Sequence, residues 1–157
     1  MMGMSRIVKT ITSIAFPFVM IYGLYIIAHG HLTPGGGFQG GAIVASACAM
    51  ILVAYGSVWT IGKVKEKHLS ALESLGAIGF IGLAFFGLIF GLKVFFYNFL
   101  VGQNKLPIFN EIGKGLSNIN TAGVLPLMNF AVGLKVIAGL FVIVLVMAYA
   151  TRIKEGK

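Results

Sequence analysis

The sequence predicts an all-α integral membrane protein with four transmembrane helices, and three observations carry that expectation. Apolar residues fill 58% of the 157 positions and charged residues only 10%, against roughly 45–50% and 25% in soluble domains. The mean hydropathy is +0.97, and a chain this short has too little interior to hide such an excess from water. Second, the apolar residues fall into four runs, each reaching the about 20 residues that cross a bilayer at 1.5 Å rise per residue. Third, the basic residues collect at alternate ends of those runs, as topology signals do. The same composition excludes other classes. A disordered chain is poor in apolar residues, and the single cysteine, Cys48, cannot staple a secreted disulfide module.

The first run is Ile7 to Ala28, interrupted at Pro17. It exceeds the h-region of a signal peptide, and His29-Gly30-His31 is no small-residue cleavage site, so it reads as a retained span. The second run is Phe38 to Ile61, the third Leu69 to Leu100, and the fourth Val124 to Thr151. Pro126 falls in the first turn of the last, where a missing N–H costs nothing. The long loop from Val101 to Gly123 places Ile108, Ile112, Leu116 and Ile119 at helical spacing. It reads equally as a short interfacial helix or as an irregular loop.

Charge sets the orientation. Twelve Lys and Arg stand against four Glu and no Asp, a formal net charge of +8. In a soluble chain that balance suggests nucleic acid; between spans it marks the cytoplasmic side, and no nucleic-acid partner is expected. Arg6, Lys9, Lys63, Lys65, Lys67, Arg152, Lys154 and Lys157 share one side, and only Lys105 and Lys114 lie on the other. Both termini are therefore expected in the cytoplasm. The turn after the first helix and the long loop between helices three and four are expected outside.

The segment from His29 to Gly41 is the most distinctive. Gly35-Gly36-Gly37-Phe38-Gln39-Gly40 formally matches G-x-G-x-x-G. The dinucleotide fingerprint, however, follows a β-strand and precedes an acidic residue, whereas here a membrane helix precedes it and Val58, Trp59 and Thr60 stand downstream. Pro34 stops helix propagation, and the glycines permit positive φ and close backbone approach. Gly37, Gly41, Ala45 and Ala49 then form a small-residue row for helix packing in lipid. Two readings stay open: a tight turn feeding a packing face, or unwound backbone lining a polar cavity. His29 and His31 supply at most two ligands, so no metal site is expected; a proton-handling role suits imidazole chemistry better.

Ionisable residues inside spans are expensive and point to function. Lys135 lies well inside the fourth run, and its helical neighbours Ala131, Ala138 and Gly139 make a smooth face suited to packing on another helix. Lys93, flanked by Phe90, Phe96 and Tyr97, is placed to snorkel outward. Glu73 begins a close-packing patch with Gly76, Ala77, Gly79 and Gly82. It serves either as a relay or as a partner for Lys63, Lys65 or Lys67, while Lys135 has few intrachain carboxylate partners. Asn129 can hydrogen-bond between helices. No nucleophile–base pair, paired carboxylates or cofactor box is evident, so the chain is not expected to be an enzyme by itself.

Two segments, His29-Gly-His-Leu-Thr-Pro-Gly-Gly-Gly-Phe-Gln-Gly-Gly41 and Pro126-Leu-Met-Asn-Phe-Ala-Val-Gly-Leu-Lys-Val-Ile-Ala-Gly-Leu140, resemble the signature segments of the MnhB (MrpB) family of Mrp-type multisubunit Na⁺/H⁺ antiporters. The resemblance covers most of the chain. Its Thr-Pro-Gly-Gly-Gly-Phe-Gln form departs from the more usual bacterial Asn-x-Pro-Gly-Gly-Gly-Phe. It looks closer to the equivalent subunit of archaeal membrane-bound energy-converting hydrogenase or related oxidoreductase complexes. The resemblance implies a multi-pass subunit of a prokaryotic cell membrane that binds no cofactor and helps form a sodium-translocating module. Na⁺ and H⁺ would be the transported ions, and other antiporter-like subunits and membrane lipids the partners. A purely structural scaffold joining neighbouring subunits is the alternative. Lys135 matches the Gly-Leu-Lys element, and Pro34 to Gly37 match the glycine element. The ion-pathway candidates are Lys135, Glu73, His29, His31 and Lys93. The turn and packing set is Pro34, Gly35, Gly36, Gly37, Gly40, Gly41, Ala45 and Asn129.

Overall fold

A computed structural model describes residues 4–32, 34–89, 95–96 and 123–155. Its helices, in chain order, are α1 (Arg6–Ala28), α2 (Gly36–Tyr55), α3 (Ser57–Lys63), α4 (Glu66–Ile89) and α5 (Leu125–Glu155). Four of them, α1, α2, α4 and α5, are long and apolar enough to cross a membrane. The described residues contain no strand. In lipid every backbone polar group must be satisfied within its own segment, which continuous helices achieve. α1 runs unbroken through Pro17.

The spans alternate in direction, so both termini lie at one end of the molecule. Met4 N–H donates to the Ala54 carbonyl at 2.9 Å, joining the start of α1 to the end of α2. We call this the terminus side, and the opposite end the loop side. α1 packs on α2, α2 on α5, and α5 on α4. The arrangement is a row in the order α1–α2–α5–α4, with α2 and α5 central. α2 is accordingly the most buried span. At its terminus-side end Leu52, Leu69, Phe141 and Leu145 form a buried apolar cluster shared by α2, α4 and α5.

The outer helices of the row leave apolar stripes uncovered. On α1, Ile7, Ile11, Ile14, Phe18, Ile21 and Tyr25 are all exposed, spaced three or four residues apart as one helix face. On α4, Leu72, Leu75, Ile78, Ile81, Phe85 and Ile89 form the counterpart. In water such stripes would drive aggregation. In a membrane they are the surfaces that meet lipid or neighbouring helices.

Two spans differ from the sequence expectation. The second does not continue to Ile61: it breaks at Gly56, whose φ of 88° and ψ of 156° lie outside helical geometry, and the separate helix α3 follows. The third does not continue to Leu100, because α4 ends at Ile89 and Phe95–Phe96 form a turn. Phe96 N–H donates to the Ala84 carbonyl at 3.1 Å, so the chain folds back along α4. Phe96 meets Phe80 edge-on at 6.1 Å and Phe95 meets Phe85 at 5.1 Å. A hydrophobicity window cannot distinguish a longer helix from an apolar segment doubling back. The amphipathic pattern of the long loop lies outside the described residues.

Candidate functional site

On the loop side, the glycine turn closes against α5. Gly35 caps α2 with φ 121°, and Gly36 opens the helix at φ 40°, conformations that side chains with a Cβ disfavour. Gln39 N–H donates to the Gly35 carbonyl at 3.3 Å, and the Gln39 side chain fills the space a Cβ on Gly35 would need. Asn129, in the first turns of α5, is the other half of the contact. Its Nδ2 lies 2.9 Å from where a Cβ on Gly30 would stand, and its Oδ1 lies 2.9 Å from the same point on Gly36. A Cβ on Gly37 would strike the Asn129 backbone carbonyl. The turn thus packs three glycines around Asn129, two against its amide side chain and one against its backbone. Pro34 is exposed at the tip.

Below this contact α2 presents two glycine faces. Gly40 meets α1, with the Gly23 carbonyl 2.7 Å and Ile27 N 2.8 Å from its Cβ position. Gly41 meets α5, with the Gly133 carbonyl and Val136 Cβ both at 2.9 Å. Ala45 is 4% exposed, continuing the α5-facing row. Helices approach this closely only where small residues remove the intervening side chains, and packing of this kind substitutes in lipid for the hydrophobic effect.

His29 stacks on Tyr25 with ring centroids 4.1 Å apart, and its Nδ1 lies 3.3 Å from the Tyr25 carbonyl. His31 is half-buried, with Nδ1 shut off from the surface. Both histidines therefore sit at the loop-side end, against the turn rather than within the depth of the spans. Among the described residues, no three His, Cys, Asp or Glu side chains gather as a metal set. Lys93 lies outside the described residues.

The α4–α5 seam holds the intramembrane charges. Glu73 is three residues from Gly76, the midpoint of the span Glu66–Phe86, and Lys135 is three residues from Ala138, the midpoint of Leu125–Thr151. Gly76 lets the helices touch: its Cβ position is 2.7 Å from the Ala131 carbonyl and 2.8 Å from Lys135 N. The Glu73 carboxylate lies beside Gly139, with Oε1 at 3.3 Å from the Cβ position there. Gly139 is one turn past Lys135, toward the terminus side. Helical side chains tilt toward their own helix N-terminus, and these two helices are antiparallel. Glu73 therefore leans toward the terminus side and Lys135 toward the loop side.

This geometry changes two expectations. Glu73 packs on α5 at mid-depth, where Gly139 makes room for its carboxylate, rather than reaching the lysines of the α3–α4 region. The smooth face around Lys135 does pack on α4, at Gly76, but the Lys135 side chain itself is exposed at the edge of the seam. Sequence reasoning identified both charges but missed their shared seam. The signal available was Gly76 and Gly139, each one helical turn from the charge on its own helix and packed against the charged residue on the other.

A row of four closely packed apolar helices, with charges at mid-depth and one of them facing outward, defines a multi-pass membrane protein. The chain belongs to the MnhB family: residues 7–142 match the family described as a domain related to the MnhB subunit of Na⁺/H⁺ antiporter. It is 30% identical over 127 residues to a Na⁺/H⁺ antiporter subunit of Bacillus subtilis, covering 75% of this chain and 80% of that protein. It is 38% identical over 144 residues to an uncharacterized protein of Methanocaldococcus jannaschii, covering 88% of this chain and 51% of that one. The structure resembles a chain of the membrane-bound sulfane sulfur reductase, an archaeal respiratory membrane complex, with TM-score 0.71 and 31% identity. That match covers 91% of this chain and 57% of the other. The chain thus spans about half the length of these last two relatives.

Proposed function

We propose that this chain is a non-catalytic subunit of a multisubunit cation/proton antiporter module, and that its α4–α5 seam contributes Glu73 and Lys135 to a sodium-translocation pathway. The observation that carries this reading is the exposure of Lys135 near the middle of a span. A charge at that depth does not face lipid; it faces water or protein. An exposed mid-membrane lysine on an open row of helices calls for a neighbour to complete its surroundings. Glu73, leaning the opposite way along the membrane normal, holds its carboxylate beside Gly139, one helical turn past the Lys135 backbone.

The glycine turn has a supporting part. Its contact with Asn129 locks α2 to α5 on the loop side, and so fixes the register of the helix that carries Lys135. The basic residues of the terminus side support a cytoplasmic location for that side. The setting is a respiratory complex of the hydrogenase or sulfur-reductase kind, in line with the sulfane sulfur reductase likeness.

A tagged chain purified from native membranes in mild detergent is expected to bring down antiporter-type subunits. Deleting it should abolish sodium-dependent proton transport in inverted vesicles. Recovery of the chain alone, with transport unchanged after deletion, would refute the subunit reading. The scaffold alternative rests on the glycine faces of α2, and it predicts full transport in any assembled complex whatever the charge at residues 73 and 135.

A further inference from the structure

A second feature stands apart from the seam. On the terminus side, α5 and the segment joining α3 to α4 enclose an open groove of about 300 Å³. Ile61, Val64, Leu145 and Val146 form its apolar walls, Tyr149 stands at one edge, and Lys65 and Glu66 at the mouth.

The groove's depth in the membrane follows from its neighbours. The α4 span begins at Glu66 and the α5 span ends at Thr151, so the mouth lies where headgroups meet water. Tyr149 and Trp59 are about half exposed, at 50% and 47%, and Trp59 stacks on Tyr55 at 4.9 Å. Aromatic side chains of this kind collect at the interfacial level. Lys65 and Glu66 line the mouth, and Lys63 and Lys67 flank them in the chain, so the segment carries three lysines against one glutamate, all four exposed. Apolar walls within the bilayer and a basic rim at its surface match one class of occupant.

We propose that this groove binds an anionic phospholipid of the terminus-side leaflet. One acyl chain would lie against Leu145, Val146 and Ile61, and the headgroup phosphate would rest at Lys65. The site is independent of which ion the complex moves. Basic pockets beside membrane helices recognise anionic headgroups electrostatically, each lysine contributing about fivefold in binding.

The test is native mass spectrometry of the complex, extracted and exchanged into micelles holding equal phosphatidylglycerol and phosphatidylcholine. The wild-type complex should retain one more phosphatidylglycerol than a Val146→Trp complex, in which the groove is filled. Lys65→Ala should weaken retention about fivefold, and Lys65→Arg should preserve it. Equal retention of the two lipids overturns the proposal, as does retention unchanged by both Lys65→Ala and Val146→Trp. A disulfide between Val146→Cys and a cysteine of a neighbouring subunit, formed in high yield in native membranes, would also overturn it by assigning the groove to that neighbour.

Discussion

At the residue scale, each contact that matters pairs a glycine with a polar group. Gly139 admits the Glu73 carboxylate, Gly76 admits the backbone of Lys135, and Gly30, Gly36 and Gly37 surround Asn129. A methyl group would disturb most of them, above all at Gly37 and Gly76, where it would meet backbone, because packed interiors have little free volume. Gly36→Ala meets two penalties together, a left-handed φ of 40° and Asn129 Oδ1 at 2.9 Å. The backbone contributes about 1–2 kcal/mol and overpacking about 1–3 kcal/mol. Thermal unfolding of the purified complex should show it as a clear loss of stability. Gly62→Ala should leave the transition unmoved or slightly raised, since among the described residues nothing lies within 4 Å of that position and alanine favours a helix.

At the element scale, α2 is the keystone. It carries Gly40 toward α1 and Gly41 toward α5, two faces rotated by a single residue, so one short helix joins both neighbours. Gly41→Leu would drive a branched side chain into the Gly133 carbonyl and Val136. The expected outcome is separation of α2 from α5 and loss of the assembled complex, seen as failure of partner subunits to co-purify. The break at Gly56 gives a second element-level prediction. Its φ of 88° and ψ of 156° are costly for any residue with a Cβ, by about 1–3 kcal/mol. Gly56→Ala should therefore lower the thermal midpoint, whereas a continuous α2–α3 helix would be stabilised by the same change.

At the scale of the whole molecule, hydropathy and charge were enough to read four spans, their alternation and the shared side of the termini. Those features depend on run length and on the placement of Lys and Arg, both local properties. The α5-facing row through Gly37, Gly41 and Ala45 was legible because small residues recur at helical spacing. The break at Gly56 and the fold-back at Phe95–Phe96 were not, because an apolar run looks the same whether it extends or reverses. The row order α1–α2–α5–α4 was hidden as well, since it depends on which glycine faces meet. Of the candidate site, the ionisable residues were visible as interruptions in apolar runs. Their seam was not, because Glu73 and Lys135 lie on helices separated by the long loop.

That open row explains why the chain suits a multisubunit setting: its outer helices keep wide apolar stripes, and one mid-depth charge faces outward. The central claim is that this charge serves ion movement rather than assembly. The most direct measurement is sodium-dependent proton transport in vesicles carrying Lys135→Ala complexes, with subunit composition checked in the same preparation. Full assembly is expected with transport reduced at least about tenfold, a rise of about 1.4 kcal/mol in the transport barrier, and with recovery toward wild type in Lys135→Arg. Full assembly with unchanged transport in Lys135→Ala would contradict it.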